Sequence, residues 1–149
     1  MRLYMSKRDI TLYIVDIFIA INKLNRYTSK FTDAQTFKWN ELEWDASIRE
    51  LEIIGEATKV LINSDILAND KYRKIVDFRN MISHGYFGID EEEVFIIIKE
   101  KLAILNDELI ELIHFKNISI IEAIDLAIEE NNVNVKLTKY LEELRKKVN

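Results

Sequence analysis

Cysteine and proline are both absent from this sequence, and glycine occurs only at Gly55, Gly85 and Gly88. Without cysteine there is no disulfide framework, no thiolate nucleophile and no sulfur-ligated metal site, which fits a reducing compartment and makes the cytoplasm the simplest address. Without proline and with so little glycine, helix breakers and strand turns are scarce, and the expected class is all-α. No run approaches the roughly 18 apolar residues that a spanning helix needs, so no membrane is expected as a partner. Arg2, Lys7 and Arg8 precede an apolar stretch in the manner of an export signal. Asp9 and Asp16 interrupt that stretch, and no small-residue cleavage pattern follows, so the segment reads as a core helix.

What is present suits one domain with a single core: 149 residues, 48% hydrophobic and 10% aromatic. Residues 1–115 are expected to form a helical bundle, and 116–149 a helical extension of the same domain. The net charge of −5 is the wrong sign for a protein that coats nucleic acid by bulk electrostatics. Any RNA contact must therefore be local. Lys71, Arg73, Lys74 and Arg79 stand against the single acid Asp77 between Lys71 and Tyr86, a small positive patch on an acidic chain.

Capping patterns and apolar spacing divide the chain into seven helices. Ser6 to Asp9 has the form of a capping box, and Ile10, Tyr13, Ile14, Ile17, Phe18, Ile21 and Leu24 follow at helical spacing to about Tyr27. Thr32 to Gln35 opens a short segment ending near Trp39. A longer helix carries Trp44, Ile48, Leu51, Ile54 and Thr58 and ends around Asn63. Asp70 is the expected cap of the next helix, which runs to Gly85, the residue type that most often ends one. Asp90 to Glu93 starts a fifth with an acidic, dipole-favoured first turn, and Val94, Ile98, Leu102, Leu105, Leu109 and Leu112 form a stripe along it. Ser119 to Glu122 opens a sixth, and Leu137, Leu141, Leu144 and Val148 mark a seventh. The result is an up-and-down bundle of four to five core helices with two extra C-terminal helices, whose docking site the sequence does not reveal.

The chemistry-bearing residues gather where the fourth helix ends. Arg79 and His84 are five residues apart, about 140° on an ideal helix, so they share a site only if the helix stops at His84 and the imidazole swings back. Such a pair suits RNA cleavage without a metal. The ribose 2′-hydroxyl attacks the neighbouring phosphate, histidine moves the proton, and guanidinium stabilises charge on the phosphoryl oxygens. Asn80 is placed to orient the imidazole or the phosphate. In-line displacement needs a base on one side and an acid on the other, and the second histidine, His114, lies thirty residues away without evident partners. A two-fold dimer that brings two copies of His84 to one cleft would supply both. Taken alone, the pair also reads as a solvated arginine and a histidine that favours the helix C-terminal dipole.

Three segments, Ser6 to Ile10, Arg49 to Ala57 and above all Arg-Asn-Met-Ile-Ser-His-Gly-Tyr at 79–86 and on to Asp90, together resemble the HepT-like branch of the HEPN ribonuclease toxins. The resemblance covers roughly residues 5 to 113. It implies a helical-bundle homodimer acting as a metal-independent endoribonuclease that needs no cofactor, the toxin half of a two-gene system. In that reading Arg79 and His84 are the catalytic pair, Asn80 is the polar residue beside the arginine, and Ser83 and Glu56 are supporting residues. Tyr86, which alone would read as a packed aromatic, matches the tyrosine to which a minimal nucleotidyltransferase antitoxin adds AMP. Phosphate charge and bulk beside His84 would repel and occlude RNA.

Other residues carry plainer expectations. Gly55 lets two helices approach closely. Glu56 is either a partner for Arg49 or Arg79 or part of a solvated face. Trp39 and Trp44 are core or dimer contacts, since no basic residues interleave with them as a stacking platform requires. Lys136, Lys139, Arg145, Lys146 and Lys147 make the C-terminus basic; the extension covers the bundle, extends the dimer, binds the antitoxin or helps hold RNA. The competing function is a non-catalytic helical adaptor that docks a nucleotidyltransferase, favoured by the acidic charge; a nucleotide-binding bundle is the third.

Overall fold

The computed structural model describes residues 9–84 and 88–149. Seven helices and no strand are found among them, so the chain is all-α. Helix α1 spans Ile10–Thr28, α2 Ala34–Trp39, α3 Glu41–Asn63 and α4 Asn69–Ser83. Helix α5 begins at Glu91–Ile96, widens through a π turn at Ile97–Lys101 and continues as Leu102–Phe115. Helices α6, Ile121–Glu130, and α7, Val135–Val148, follow.

Local chemistry starts most of these helices. Side-chain oxygens of Asp9, Asp33, Asp90 and Asn134 accept from the backbone N–H of Thr11, Thr36, Glu92 and Leu137, satisfying donors that a first turn leaves open. Four starts differ from expectation. Asp33 rather than Thr32 caps α2, and Asp9 caps α1, the expected Ser6 lying outside the described residues. Helix α4 starts one residue ahead of Asp70, with Ala68 in the cap position, and Asp70 falls in the first turn where it favours the dipole. Helix α6 has Ile120, not Ser119, at its cap with no side-chain bond. Ile120 is fully buried, so apolar packing sets that start.

The π turn has a cause in the stripe on α5. Val94, Ile98 and Leu102 are all buried and step by four twice in succession. On an ideal α-helix eight residues overshoot two turns by roughly 80°, and a wider turn takes up the excess. Within it, Lys99 Nζ donates to the Thr28 carbonyl at 2.9 Å, placing a cation on the C-terminal end of α1. At the stripe's far end Ile113 is buried where Leu112 is half-buried.

Helices α1 and α3 form the largest contact, and α4 packs on α3. Phe31, Phe37, Trp44 and Phe95 join α2 to its neighbours through ring contacts at 5.1–6.1 Å between centroids. Of the two alternatives expected for Trp39, core or dimer contact, the first does not hold: it is 76% exposed and outside the core of this chain. The C-terminal pair α6 and α7 lies across α1 and the later half of α5. Ile120, Ile124, Leu137, Leu141 and Leu144 are buried there, Arg145 forks onto Asp125 at 2.7 and 3.1 Å, and His114 Nε2 lies 2.9 Å from the Lys147 carbonyl. His114 therefore has a structural partner in the extension. No helix among the described residues is long and apolar enough to cross a membrane.

Candidate active site

Arg79 owes its place to a glycine. A Cβ built at Gly55 on α3 would overlap the Cβ of Arg79 on α4, would lie 2.7 Å from its Cγ and 3.3 Å from the Ile75 carbonyl oxygen. The expectation that Gly55 permits a close helix approach holds, and the residue seated against it is the arginine. From there the guanidinium reaches one residue along α3, where its Nη2 meets Glu56 Oε2 at 2.5 Å. Its Nη1 donates to Asn80 Oδ1 at 3.3 Å. Of the alternatives for Glu56, pairing with Arg79 is the one observed, with Glu56 half-exposed and Arg79 mostly covered.

Helix α4 stops at Ser83, and His84 is its C-terminal cap with φ −85° and ψ 0°. Its Nδ1 lies 2.6 Å from the Asn80 carbonyl oxygen, which also receives the His84 backbone N–H at 3.1 Å. The imidazole therefore swings back along the helix, as sharing a site with Arg79 requires. A carbonyl only accepts, so Nδ1 carries a proton in this contact. Asn80 touches both members of the pair, the arginine through its side chain and the histidine through its backbone. Ser83 is exposed at the end of the helix. Tyr86 and Gly85 lie outside the described residues.

The positive patch expected on α4 is mostly neutralised. Lys71 pairs with Glu108, which also receives the Tyr72 hydroxyl, Arg73 pairs with Asp77 and Arg79 with Glu56. Partners on α3 and α5 are distant in sequence, so the run of charge could not show this.

Beside Arg79 opens a cleft of about 250 Å³ lined by Tyr13 and Asp16 of α1, Arg49, Glu52 and Glu56 of α3, and Arg79. Sequence reasoning passed over Tyr13, Asp16, Arg49 and Glu52 as site residues. Their signal was available in the spacing of 49, 52 and 56 on one helix and of 13 and 16 on another, which places each set on one face.

Next to the cleft, Glu50 is 8% exposed at the contact of α1 and α3. Burial pushes its carboxyl above the usual range, while the charges of Lys23, Arg49 and Arg26 pull it down without prevailing. Burial, with the charge of Glu50 behind it, likewise raises the Tyr27 hydroxyl. A carboxyl whose folded pKa lies above its unfolded value of about 4.3 contributes most stability below that pH and loses it as pH rises through the folded value. Glu50→Gln is therefore expected to melt higher than the unsubstituted chain at pH 7, the gap closing toward pH 4. A gap of the same size at both pH values would show that the carboxylate charge is not its cause.

Comparison with known proteins bears on what this geometry serves. The family model described as "Ribonuclease HepT-like" matches residues 17–113. A Methanocaldococcus jannaschii protein named "Putative RNase MJ1380" is 37% identical over 107 residues, covering 70% of this chain and 96% of that relative. A Thermococcus cleftensis protein named "Probable ribonuclease HepT" is 31% identical over 98 residues, covering 64% of this chain and 88% of its own length. No solved structure matches the chain. The matched segment contains Gly55, Glu56, Arg79, Asn80 and His84, and it ends before the C-terminal pair α6 and α7. With the model covering well over half of its length, this chain belongs to the HepT-like ribonuclease family.

Proposed function

We propose that this chain is an endoribonuclease toxin that cuts RNA without a metal, acting as a homodimer and silenced when a partner nucleotidyltransferase adds AMP to Tyr86. The observation that carries the reading is Asn80, which holds Arg79 by its side chain and His84 by its backbone at one helix end. His84 Nε2 takes the proton of the ribose 2′-hydroxyl, whose oxygen attacks the adjacent phosphorus. The bond to the 5′-oxygen of the next nucleotide breaks, leaving a 2′,3′-cyclic phosphate and a 5′-hydroxyl that receives a proton. Arg79, oriented by Glu56 and Asn80, stabilises the charge gathering on the phosphoryl oxygens. The proton on the leaving side is supplied by the second copy's imidazolium or by water, which is the role of the dimer in this reading.

The test is incubation of the purified chain with single-stranded RNA in EDTA. Fragments ending in 2′,3′-cyclic phosphate are expected. Intact RNA from a folded, dimeric protein would overturn the reading. For Tyr86, co-expression with the partner enzyme is expected to raise the intact mass by whole AMP units and to abolish cleavage. An unchanged mass beside an active enzyme removes the modification. A second reading, a non-catalytic adaptor for the nucleotidyltransferase, is favoured by the net charge of −5 and by the pairing of the α4 cations.

A further inference from the structure

The paired cations of α4 contrast with a second set that is not paired. Among the described residues, Lys30, Lys38, Lys71, Arg73, Arg79 and Arg145 each meet a carboxylate within 4 Å. Lys23 and Arg26 on α1 and Arg49 on α3 do not, although all three lie close enough to Glu50 for their charges to act on it. Arg26 donates from Nε to Asn22 Oδ1 at 3.1 Å, and its Nη2 is buried without a hydrogen-bond partner. A guanidinium nitrogen shielded from water and left unmatched is costly, and turning the side chain outward to meet a phosphate relieves that cost. Three cations around one buried acid also make a locally positive seam on a chain whose net charge is −5.

Arg49 connects this seam to the candidate active site. It lines the cleft that holds Arg79, and it belongs to the group of charges around Glu50. Glu56 is taken up by Arg79, so the next cation a polyanion held at Arg79 meets in the cleft is Arg49, which shares the neighbour Glu50 with Lys23 and Arg26. We propose that Arg49, Lys23 and Arg26 form a phosphate-binding seam between α1 and α3 that holds the RNA strand adjoining the scissile bond. The inference rests on the ribonuclease reading above. It names the part of this acidic surface that receives the substrate, away from the α4 patch that the sequence alone points to. Arginine suits the task because its fork meets two phosphate oxygens at once.

The probe is a fluorescein-labelled, ten-nucleotide 2′-O-methyl RNA, which has no 2′-hydroxyl to attack and cannot be cut. Its anisotropy is followed with the full chain over a range of salt concentrations. Arg49→Gln is expected to weaken binding about tenfold, and to reduce the slope of log K against log salt by about 0.7, the value for one phosphate contact on a single strand. Arg49→Lys is expected to keep the slope. Lys23→Gln with Arg26→Gln is expected to reduce it further, with circular dichroism confirming the fold; Arg49 is exposed, so its variant tests the seam even if that double variant unfolds. Wild-type affinity and slope in Arg49→Gln overturn the seam. If Arg79→Ala still loses binding in that case, the ribonuclease reading stands without it. A seam that serves a protein partner instead would give the same unchanged RNA binding, and a wild-type chain that neither binds nor cuts RNA overturns both proposals.

Discussion

Replacing His84 with alanine is expected to slow RNA cleavage by about 10²- to 10⁴-fold, the usual contribution of a positioned proton-transfer group. The fold should survive, because His84 is exposed and caps its helix outside the buried core. Arg79→Ala is expected to cost about 10²- to 10³-fold, comparable with the loss of one donor to transition-state charge. It also leaves Glu56 without its cation. The double variant is expected to fall little below the worse single one, since residues that act as a unit are not additive. The measurement is the cleavage rate in EDTA beside circular dichroism, and in cells growth arrest on induction without the partner gene. Arrest by the wild type and by neither variant fits a toxin dependent on the pair. Growth in all three, with soluble protein present, shifts the weight to the adaptor.

The second large effect is expected far from any reacting atom. Gly55→Val places a branched side chain where the Cβ and Cγ of Arg79 already sit, against α4 rather than against a yielding side-chain tip. Overpacking of this kind costs about 1–3 kcal/mol or more, and here the element that must yield is the one that carries Arg79. Misplacing a catalytic group by about 1 Å can cost on the order of 10² in rate. The variant is therefore expected to melt lower and, in its folded fraction, to cut RNA about a hundredfold more slowly. Gly55→Ala should show the same signs in smaller measure. Full activity with an unshifted melting temperature in Gly55→Val would mean that the close seat of α4 on α3 does not set the site.

The second expectation depends on a contact between helices, and the division between what the sequence determined and what the fold decided runs along that line. The helices were legible because their causes are local. Asp33, Asp90 and Asn134 cap within three residues, and the buried sets on α1 and α5 repeat at helical spacing. That Arg79, Asn80 and His84 gather at one helix end was legible for the same reason: six consecutive residues are positioned by the backbone that joins them. Gly55 was readable as a point of close approach because glycine inside a helix is unfavourable without a packing reason. What it approaches was not readable.

Only the tertiary structure decided that Arg79 sits on Gly55 and pairs with Glu56. Only there does Lys71 of α4 find Glu108, while the charges of Lys23, Arg26 and Arg49 act on the buried Glu50; the pair of Arg73 with Asp77 is local to its own helix. The C-terminal pair shows the same split. Its apolar stripe made α7 predictable, yet its seat on α1 and α5 required knowing which surface the first five helices leave uncovered. Helix starts and ends follow from bonds within a few residues. The charge that a site presents follows from partners that the chain brings together from tens of residues away, and one-dimensional spacing carries no record of them.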